Sequence, residues 1–329
     1  MLEHGGRLRA AARQYEIPLA DWLDLSTGIN PNGYPVPPLD PACWQRLPED
    51  DDGLEAAAAT YYDNARVLAL PGSQAAIQIL PALFPPAAIA CLSPIYEEHP
   101  QAWARAGHRL RRLPSLQRAL AAATPSIMLC NPNNPTALTL PRSALLDAAA
   151  QLQRRGGWLI VDEAFGDADA DNCVAPLAGS EDAPNLIVLR SLGKFFGLAG
   201  ARVGFIFGAP EKLGRLREAL GPWPLSGPAR AVARHALADT AWQAQARVDL
   251  AAAGQRLAEL LAPLGEVSST ALFSTVATPD VSALSEHFAR RAILIRCFEA
   301  HGLLRFGLPG NEAAWQCLAS AGNEWKFPC

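Results

Sequence analysis

The chain has 329 residues, 50% of them hydrophobic and 18% charged, and its formal net charge at neutral pH is −4. This is the composition of a globular protein with about two domains. The negative net charge argues against a nucleic-acid-binding protein, which would carry a basic surface. No apolar run approaches the roughly 18 residues of a membrane-spanning helix. The first residues lack the apolar core of a signal peptide.

The number and spacing of the cysteines indicate the cellular compartment of the protein. There are seven, an odd number, and no two of them form a C-x-x-C pair. This usage predicts reduced thiols in a cytoplasmic protein and argues against disulfides or a zinc site.

The first 45 residues predict one short helix followed by an irregular segment rich in proline and glycine. We expect this segment to pack against a smaller domain or to reach over the site. From about residue 54 to residue 210, short apolar runs alternate with helical patterns. Helices are predicted over 74–83, 98–106, 115–122 and 143–155. Strands are predicted over 66–70, 88–92, 126–130, 157–161, 186–190 and 203–207.

Continuous apolar strands between helices are typical of a mostly parallel sheet with both faces covered. In such a sheet, ligands bind at the carboxyl ends of the strands. A break rich in glycine and proline follows at 221–228. After it, two helices within 229–262, a strand near 272–277, a helix over 281–291 and strands around 293–297 and 303–308 predict a smaller α+β domain. The predicted division is an N-terminal arm over 1–45, a large domain over 46–225 and a small domain over 226–329.

Lys194 is the most informative residue. It lies among glycines and small residues between two apolar runs, 186–189 and 203–207. An ammonium group in such surroundings is costly unless chemistry uses it. A desolvated lysine gives up its charge easily and forms a Schiff base with an aldehyde, while Ser191 and Arg202 flank it at spacings suited to a phosphate. Aldehyde and phosphate together indicate pyridoxal phosphate; the alternative is a surface lysine in a loop.

A second phosphate motif, Pro71-Gly72-Ser73-Gln74, follows a predicted strand and opens a predicted helix. Gly72 lets the backbone approach a ligand closely, and the first helical amides point outward at the positive end of the helix dipole. The alternative, which the motif alone favours, is an ordinary turn with Ser73 as the helix N-cap.

The segment Asn131-Pro132-Asn133-Asn134-Pro135-Thr136-Ala137 follows the strand predicted over 126–130. Two prolines restrict the backbone, and the asparagines favour special turn conformations. A rigid polar loop at a strand end is suited to present one amide to a ligand.

The segment Val161-Asp162-Glu163-Ala164-Phe165 closes another apolar strand. A carboxylate at the end of a buried strand needs a cation or hydrogen-bond donors. The protonated pyridine nitrogen of pyridoxal phosphate is such a cation, whereas the alternative is that Asp162 only caps the next turn. Because side chains alternate along a strand, Glu163 is expected to point the opposite way, and we assign it no chemistry.

Taken together and in this order, these motifs resemble the fold-type-I aminotransferases that depend on pyridoxal phosphate, over essentially the whole chain. The resemblance implies an α/β fold in which a large domain carries a mostly parallel seven-stranded sheet between helices, with a smaller α+β domain beside it. It also implies a homodimer with sites at the subunit interface.

The resemblance implies a role for each site residue. Lys194 would hold the cofactor, Asp162 would face its pyridine nitrogen, Asn134 its ring oxygen, and Tyr96 would stack on the ring. Tyr61, or its neighbour Tyr62, would reach the phosphate of the neighbouring subunit. The cofactor phosphate would be surrounded by Gly72, Ser73, Gln74, Ser191 and Arg202.

Four residues are the candidates for binding substrate. By the same resemblance, Arg305 binds a substrate carboxylate through both guanidinium nitrogens. His4, Asn30 and Arg296 are the candidates for a substrate phosphate, and for His4 the alternative is a loosely held terminal residue.

Two branches of the family share further features with the chain. Histidinol-phosphate aminotransferases resemble it in the segment 25–31 and in Arg296 and Arg305. Threonine-phosphate decarboxylases of cobalamin synthesis resemble it in His4-Gly5-Gly6, in the Ala-Ala-Arg of the first helix, in Asn30-Pro31 and in Phe165. Ala137, where glycine usually ends the loop, and Leu47-Pro48, where Tyr-Pro is expected, depart from the pattern.

The hypothesis that follows is decarboxylation of L-threonine O-3-phosphate by a pyridoxal-phosphate enzyme without a metal. The bond that breaks at Cα must stand perpendicular to the cofactor ring, so the placement of one arginine can decide the reaction. The first alternative is a histidinol-phosphate-type aminotransferase that uses 2-oxoglutarate. The second, from another class, is a non-catalytic regulator that binds pyridoxal phosphate.

Overall fold

The computed structural model describes residues 4–326. The first three residues and Cys329, which the sequence analysis counted, lie outside this range. The remaining six cysteines all have free thiols. Within residues 4–326, no helix combines the length and the apolar character that a membrane crossing requires.

The chain forms two compact units. The first comprises Gly33–Asn134 and Thr139–Gln245, and the second comprises the residues up to Asn32, the short segment Pro135–Leu138 and the residues from Ala246 onward. These bounds differ from the predicted domain boundaries near residues 45 and 225, and the domain division itself stays a prediction.

The described part of the chain contains α-helices and strands that alternate through the first unit. The strands are β1 (Leu23–Asp24), β2 (Val67–Leu70), β3 (Ala88–Leu92), β4 (Arg109–Leu113), β5 (Ser126–Cys130), β6 (Trp158–Asp162), β7 (Leu186–Ser191), β8 (Gly204–Phe207), β9 (Glu266–Ser269), β10 (Phe273–Ala277), β11 (Ile293–Leu294), β12 (Arg296–Phe298) and β13 (Leu303–Gly307). The α-helices are α1 (Leu8–Tyr15), α2 (Ala42–Gln45), α3 (Leu54–Tyr61), α4 (Ser73–Ile79), α5 (Glu98–Arg105), α6 (Leu116–Ala121), α7 (Arg142–Gln153), α8 (Pro210–Leu220), α9 (Gly227–Ala238), α10 (Thr240–Leu261), α11 (Val281–Ala289) and α12 (Glu312–Asn323).

The first unit is built on a seven-stranded sheet in the order β2-β8-β7-β6-β5-β3-β4. β8 runs antiparallel to both of its neighbours, β2 and β7, and β7, β6, β5, β3 and β4 are mutually parallel. The central strands are buried along nearly their whole length, as helices on both faces require. The predicted fold, a mostly parallel seven-stranded sheet between helices, is confirmed.

The strand β4 was missed by the sequence analysis. Its sequence, Arg-Leu-Arg-Arg-Leu, has no apolar run, and most of its residues are exposed. It lies at the edge of the sheet and pairs only with β3. An edge strand is partly exposed to water, and charged side chains there prevent pairing with other chains, so its polarity has a physical reason.

The second unit carries a four-stranded antiparallel sheet in the order β12-β13-β10-β9 and a separate parallel pair, β1 with β11. This confirms the smaller α+β fold. The strand predicted over 293–297 is in fact two short strands, because Ile293–Leu294 pairs with β1 whereas Arg296–Phe298 pairs with β13. The helix α12 was not predicted, although Asn311 accepts a hydrogen bond from Ala314 N in the manner of an N-cap.

Candidate active site

In the first unit, Asp162 stands at the end of the buried strand β6 and is itself only 5% exposed. Its Oδ2 lies 2.8 Å from Nε2 of His99, and its Oδ1 accepts a hydrogen bond of 3.0 Å from Ala164 N. The turn-capping alternative therefore describes one oxygen only. The other oxygen faces the buried His99 of α5.

His99 was not found by sequence analysis. It lies in α5, where His99, Ala102 and Trp103 are all buried. A polar residue on the apolar face of a helix was the signal available, but the sequence does not show which group it meets.

The loop after β5 is fixed by its first two asparagines, Asn131 and Asn133. Asn131 donates from Nδ2 to Leu140 O at 3.1 Å and accepts at Oδ1 from Leu140 N at 2.7 Å. Asn133 donates from Nδ2 to Pro94 O at 2.9 Å. The backbone of Asn131 also donates to Asp162 O at 2.9 Å. The loop is thus tied to the β6 end, and Asn134, the residue predicted to contact the ligand, follows two asparagines that hold the loop.

Lys194 lies in a tight loop after β7. The loop is closed by hydrogen bonds from Leu192 N to Val203 O and from Leu198 N to Leu192 O, each 3.1 Å. The Nζ atom of Lys194 stands 5.3 Å from the centroid of the Phe165 ring, over its face. This contact joins the lysine to the segment that follows Asp162.

The turn at Gly72 leaves space for a ligand close to the backbone. Gly72 has a φ of +75°, and a Cβ atom there would lie 2.8 Å from Nη2 of Arg202. A Cβ atom at Gly204 would lie 2.5 Å from Ser73 N, so the turn packs directly on β8. Gly72 itself is the N-cap of α4, and the alternative with Ser73 as N-cap is not observed. The structure therefore brings the amides of the turn and the Arg202 guanidinium together, which suits an anion.

Gln74 and Tyr96 are hydrogen-bonded to each other. The Tyr96 hydroxyl donates to Oε1 of Gln74 at 3.3 Å, and Nε2 of Gln74 donates to Oε2 of Glu98 at 2.9 Å. Burial, followed by the charge of Glu98, raises the pKa of Tyr96 to about 12. The phenol is therefore neutral at physiological pH and acts as a donor.

The two adjacent tyrosines differ in exposure. Tyr62 is buried and has the Arg190 guanidinium over its ring at 4.7 Å. Tyr61 is half-buried and packs edge-on against Phe196, with the ring centroids 5.5 Å apart. Of the two, Tyr61 is the one with side-chain surface left for a ligand.

Asp162 is also one of three neighbouring side chains that could bind a metal ion. Ligand atoms of His99, Cys130 and Asp162 lie within 4.8 Å of one another. The histidine and the aspartate are already hydrogen-bonded, and burial raises the pKa of the Cys130 thiol well above its ordinary value. Each of the three groups thus has an account that needs no metal, and the absence of a metal stays our prediction.

In the second unit, Arg305 and Arg296 are directly opposite each other on the antiparallel strands β13 and β12. Arg305 is buried, and its Nη2 donates to Ser26 O at 2.8 Å. The guanidinium carbons of Arg296 and Arg305 stand 5.1 Å and 5.8 Å from the centroid of the Phe298 ring. Like charges directly opposite on neighbouring strands repel each other, so the two guanidinium groups are held close together at an electrostatic cost.

The N-terminal segment is docked on the same stretch of backbone. Gly6 N donates to Oγ of Ser26 at 2.7 Å, and a Cβ atom at Gly5 would lie 2.4 Å from Ser26 O. Only glycine permits that approach. His4, which is exposed, is therefore carried by a segment that meets Ser26, the residue whose carbonyl binds Arg305.

Two further residues of this unit, Asn30 and Ala137, were singled out in the sequence. Asn30 is buried, and its Oδ1 accepts from Asn32 N at 2.9 Å. Ala137 has a φ of +60°, in the left-handed region that favours glycine. The departure from the family pattern at Ala137 thus carries a backbone strain that glycine would not have.

The sequence matches one known protein family over most of its length. Residues 48–316 match the sequence profile of aminotransferase class I and II. The chain belongs to the aminotransferase class I and II family. Membership of this family confirms the expected cofactor, pyridoxal phosphate, and the Gly72 turn with Arg202, the buried Asp162 and Lys194 are residues that fit it.

Individual relatives of this family were also found. The chain is 51% identical to the threonine-phosphate decarboxylase of Pseudomonas aeruginosa over 331 aligned residues, which cover 100% of this chain and 99% of that protein. It is 39% identical to the threonine-phosphate decarboxylase of a Sinorhizobium species, with 97% and 96% covered. It is 30% identical to histidinol-phosphate aminotransferase 3 of Mesorhizobium japonicum, with 90% and 86% covered.

Solved structures of the family show the same fold. Histidinol-phosphate aminotransferase from Sinorhizobium meliloti, in complex with pyridoxal-5'-phosphate, superposes with a TM-score of 0.83 at 20% identity and covers 98% of both chains. L-Threonine-O-3-phosphate decarboxylase from Porphyromonas gingivalis gives a TM-score of 0.76 at 19% identity, with 90% of this chain and 97% of that chain covered.

Proposed function

We propose that the protein is a pyridoxal-phosphate-dependent lyase that converts L-threonine O-3-phosphate to (R)-1-amino-2-propanol O-2-phosphate and CO₂, for the aminopropanol arm of cobalamin. The observation that carries the proposal is the arginine pair Arg296 and Arg305, directly opposite on adjacent strands. A substrate with both a carboxylate and a phosphate would place one anionic group at each of these two guanidinium groups. The 51% identity to a threonine-phosphate decarboxylase over the full chain supports the same substrate.

The proposed substrate roles divide the two anions. Arg305, held from behind by Ser26 O, binds the carboxylate, and its fork can donate two parallel hydrogen bonds. Arg296, His4 and Asn30 bind the phosphate. By holding the carboxylate, Arg305 selects which bond at Cα breaks.

The proposed cofactor roles fall on the first unit. Lys194 holds the cofactor, Asn134 and Tyr96 contact its ring, and the phosphate lies at Gly72, Ser73, Gln74, Ser191 and Arg202. When bound, pyridoxal phosphate accepts the electrons of the bond that breaks at the substrate Cα. Tyr61 reaches the phosphate of the neighbouring subunit in a homodimer, and a fully active monomer in light scattering would contradict that assembly.

Three side chains of this unit carry the chemistry that the protein itself supplies. Asp162 provides an anion for the protonated pyridine nitrogen, and the hydrogen bond from His99 at 2.8 Å restrains its Oδ2. Lys194 donates a proton from Nζ to the substrate Cα after CO₂ has left. Phe165, whose ring faces Nζ, keeps this part of the site apolar.

The location proposed is the cytoplasm. The six described cysteines are free thiols, and burial raises the pKa of Cys91 to about 11 and that of Cys173 to about 12. Such thiols stay protonated and unreactive, as small buried apolar groups.

The experiment compares two substrates on the same purified protein loaded with pyridoxal phosphate. L-Threonine O-3-phosphate is supplied alone, and histidinol phosphate is supplied with 2-oxoglutarate, with products identified by NMR. We expect aminopropanol phosphate from the first and negligible glutamate from the second, and plain threonine should react poorly. Faster glutamate formation would replace the lyase with an aminotransferase, and no spectral change with any amino donor would favour the non-catalytic regulator.

A further inference from the structure

A second group of charges lies buried in the first unit behind the proposed cofactor residues. Nη1 of Arg190 donates to Oε2 of Glu163 at 2.9 Å and to Sγ of Cys173 at 2.9 Å, and Nη2 donates to Oδ1 of Asp167 at 2.8 Å. Arg190 is 2% exposed, and both carboxylates are fully buried. We call Arg190, Glu163, Asp167 and Cys173 the Arg190 network.

The network adjoins the two strand ends that carry the site. Glu163 directly follows Asp162, and Arg190 directly precedes Ser191. Because side chains alternate along a strand, the network lies on the opposite face of the sheet from Asp162 and Ser191. The last residues paired in register are Asp162 and Leu189, and the last backbone hydrogen bond runs from Glu163 N to Leu189 O. Beyond that point, the side-chain ion pair of Glu163 and Arg190 joins the two strands.

The network also fixes the segment that follows Asp162. Asp167 belongs to the 3-10 helix Gly166–Asn172, and Oε1 of Glu163 accepts a hydrogen bond of 2.6 Å from Val174 N. A Cβ atom at Gly166 would lie 2.7 Å from Nη1 of Arg190, so a side chain at this position would displace the guanidinium from its carboxylates. The network therefore fixes the backbone on both sides of Phe165, the residue against Lys194.

Aromatic contacts extend the network toward the lysine loop. The Arg190 guanidinium covers the ring of Tyr62, and the ring of Tyr62 packs edge-on against Tyr61 at 4.6 Å between centroids. Tyr61 in turn packs against Phe196, two residues after Lys194. Of the proposed cofactor residues, Asp162 and Ser191 are thus sequence neighbours of the Arg190 network, and Tyr61 is linked to it through Tyr62.

Stability alone does not account for such a network. Burial by itself would lower the pKa of Arg190, but nearby Asp167, Cys173 and Glu163 raise it well above its ordinary value, so the charge is kept. Charged groups lose hydration on burial, and apolar side chains of similar volume commonly stabilise a core equally well. A forked guanidinium that is hydrogen-bonded to two carboxylates fixes the distance between the backbone segments that carry these groups. Apolar side chains do not impose such a specific distance.

We infer that Arg190, with Glu163 and Asp167, is a positioning device that sets the distance between Asp162 and the Ser191–Lys194 segment and so orients the cofactor. The inference rests on the proposed cofactor roles of these residues, and it does not depend on which substrate the enzyme uses. Arg190 is a positioning residue, since it acts only through its neighbours.

The test compares Arg190→Lys with the wild type by three measurements: the dissociation constant of pyridoxal phosphate, the circular dichroism of the bound cofactor in the visible region, and the thermal unfolding of the cofactor-free protein. Lysine keeps the charge but cannot bond both carboxylates in one plane. We expect cofactor binding to weaken by about tenfold or more, the size of effect that groups supporting a ligand from behind commonly have, together with an altered dichroic band.

Arg230 offers a matched control. It is also 2% exposed, and it bonds Asp52 and Glu55, which lie before and in α3. Arg230→Lys should lower the unfolding temperature and leave the dichroic band of the cofactor unchanged. If both lysine variants alter the band equally, the Arg190 network has no positioning role.

A charge-free variant keeps the test decisive if Arg190→Lys folds poorly. The triple change Glu163→Gln, Asp167→Asn and Arg190→Met removes every charge while keeping side-chain size, so no unpaired charge is left buried. We expect a folded protein with weakened cofactor binding and an altered band. A folded triple variant with wild-type affinity and band would overturn the inference, whereas failure of the substrate proposal would leave both readouts unaffected.

Discussion

Nε2 of His99 and Oδ2 of Asp162 lie 2.8 Å apart in the interior of the first unit. The histidine comes from the start of α5 and the aspartate from the end of β6, so the bond crosses between two elements that are remote in sequence. One carboxylate oxygen is held by the histidine and the other by Ala164 N. The orientation of this carboxylate is therefore determined before any ligand binds.

The first prediction concerns that carboxylate. Asp162→Ala should keep some pyridoxal phosphate but lose about 30- to 1000-fold in kcat, because a buried, charge-assisted interaction of about 2–4 kcal/mol is removed. The exposed Asp147→Ala in α7 is the control and should retain normal turnover. Near-normal activity of the Asp162 variant would show that this residue only caps the turn.

The second prediction concerns the covalent attachment of the cofactor. The chain has three lysines, Lys194, Lys212 and Lys326. Reduction of the holoenzyme with borohydride, followed by peptide mass spectrometry, should find the cofactor on Lys194. Lys212, which stacks on Phe84 and Trp158, provides the control, because Lys212→Ala should label normally. Labelling that persists in Lys194→Ala would refute the assignment.

The third prediction concerns the docked N-terminal segment. Gly5→Ala places a Cβ atom where Ser26 O stands 2.4 Å away, so His4 must shift. KM for L-threonine O-3-phosphate should rise more than kcat falls, as loss of uniform binding does, and His4→Ala should do the same. Gly214→Ala, where a Cβ atom meets nothing within 4 Å in α8, should leave KM unchanged. A normal KM in both N-terminal variants would remove this segment from the substrate site.

The fourth prediction concerns stability in acid. Burial by itself would raise the pKa of Asp52, but hydrogen bonds and charge from Arg230 outweigh it and hold the pKa below its ordinary value of 3.8. Ionised Asp52 therefore stabilises the folded state fully above pH 3.8, and this contribution is lost as the pH falls through the lower folded-state pKa.

Asp52→Asn tests the acid prediction directly. At pH 7 the free energy of unfolding should fall by about 1–2 kcal/mol, and the deficit should shrink below pH 3.8. Urea unfolding at several pH values measures both. A deficit that stays constant down to the lowest pH at which the protein folds would contradict the assignment to this ion pair.

Features set by local sequence were predictable. The continuous apolar strands of the large sheet and the motifs around Lys194, Asp162 and Asn134 are contiguous segments, and each places its chemistry at a strand end. The edge strands β4 and β9 were missed because an exposed edge needs no apolar run. No pattern in the sequence distinguishes such a strand from a loop.

Partners that lie far apart in the chain were not predictable. Arg190 was seen only as the last residue of a strand, and its carboxylate partners stand 27 and 23 residues earlier. His99 and Asp162 are 63 residues apart. In both cases the sheet topology brings the two residues together. The sequence by itself shows which residue types are present but not which of them form a pair.

The most direct test of the central proposal is the release of CO₂ from carboxyl-labelled L-threonine O-3-phosphate by the holoenzyme in the absence of any keto acid. We predict sustained release, with one aminopropanol phosphate formed for each CO₂ and no dependence on added 2-oxoglutarate. No release of label, or release that needs a keto acid, would contradict the proposal that this enzyme is a decarboxylase.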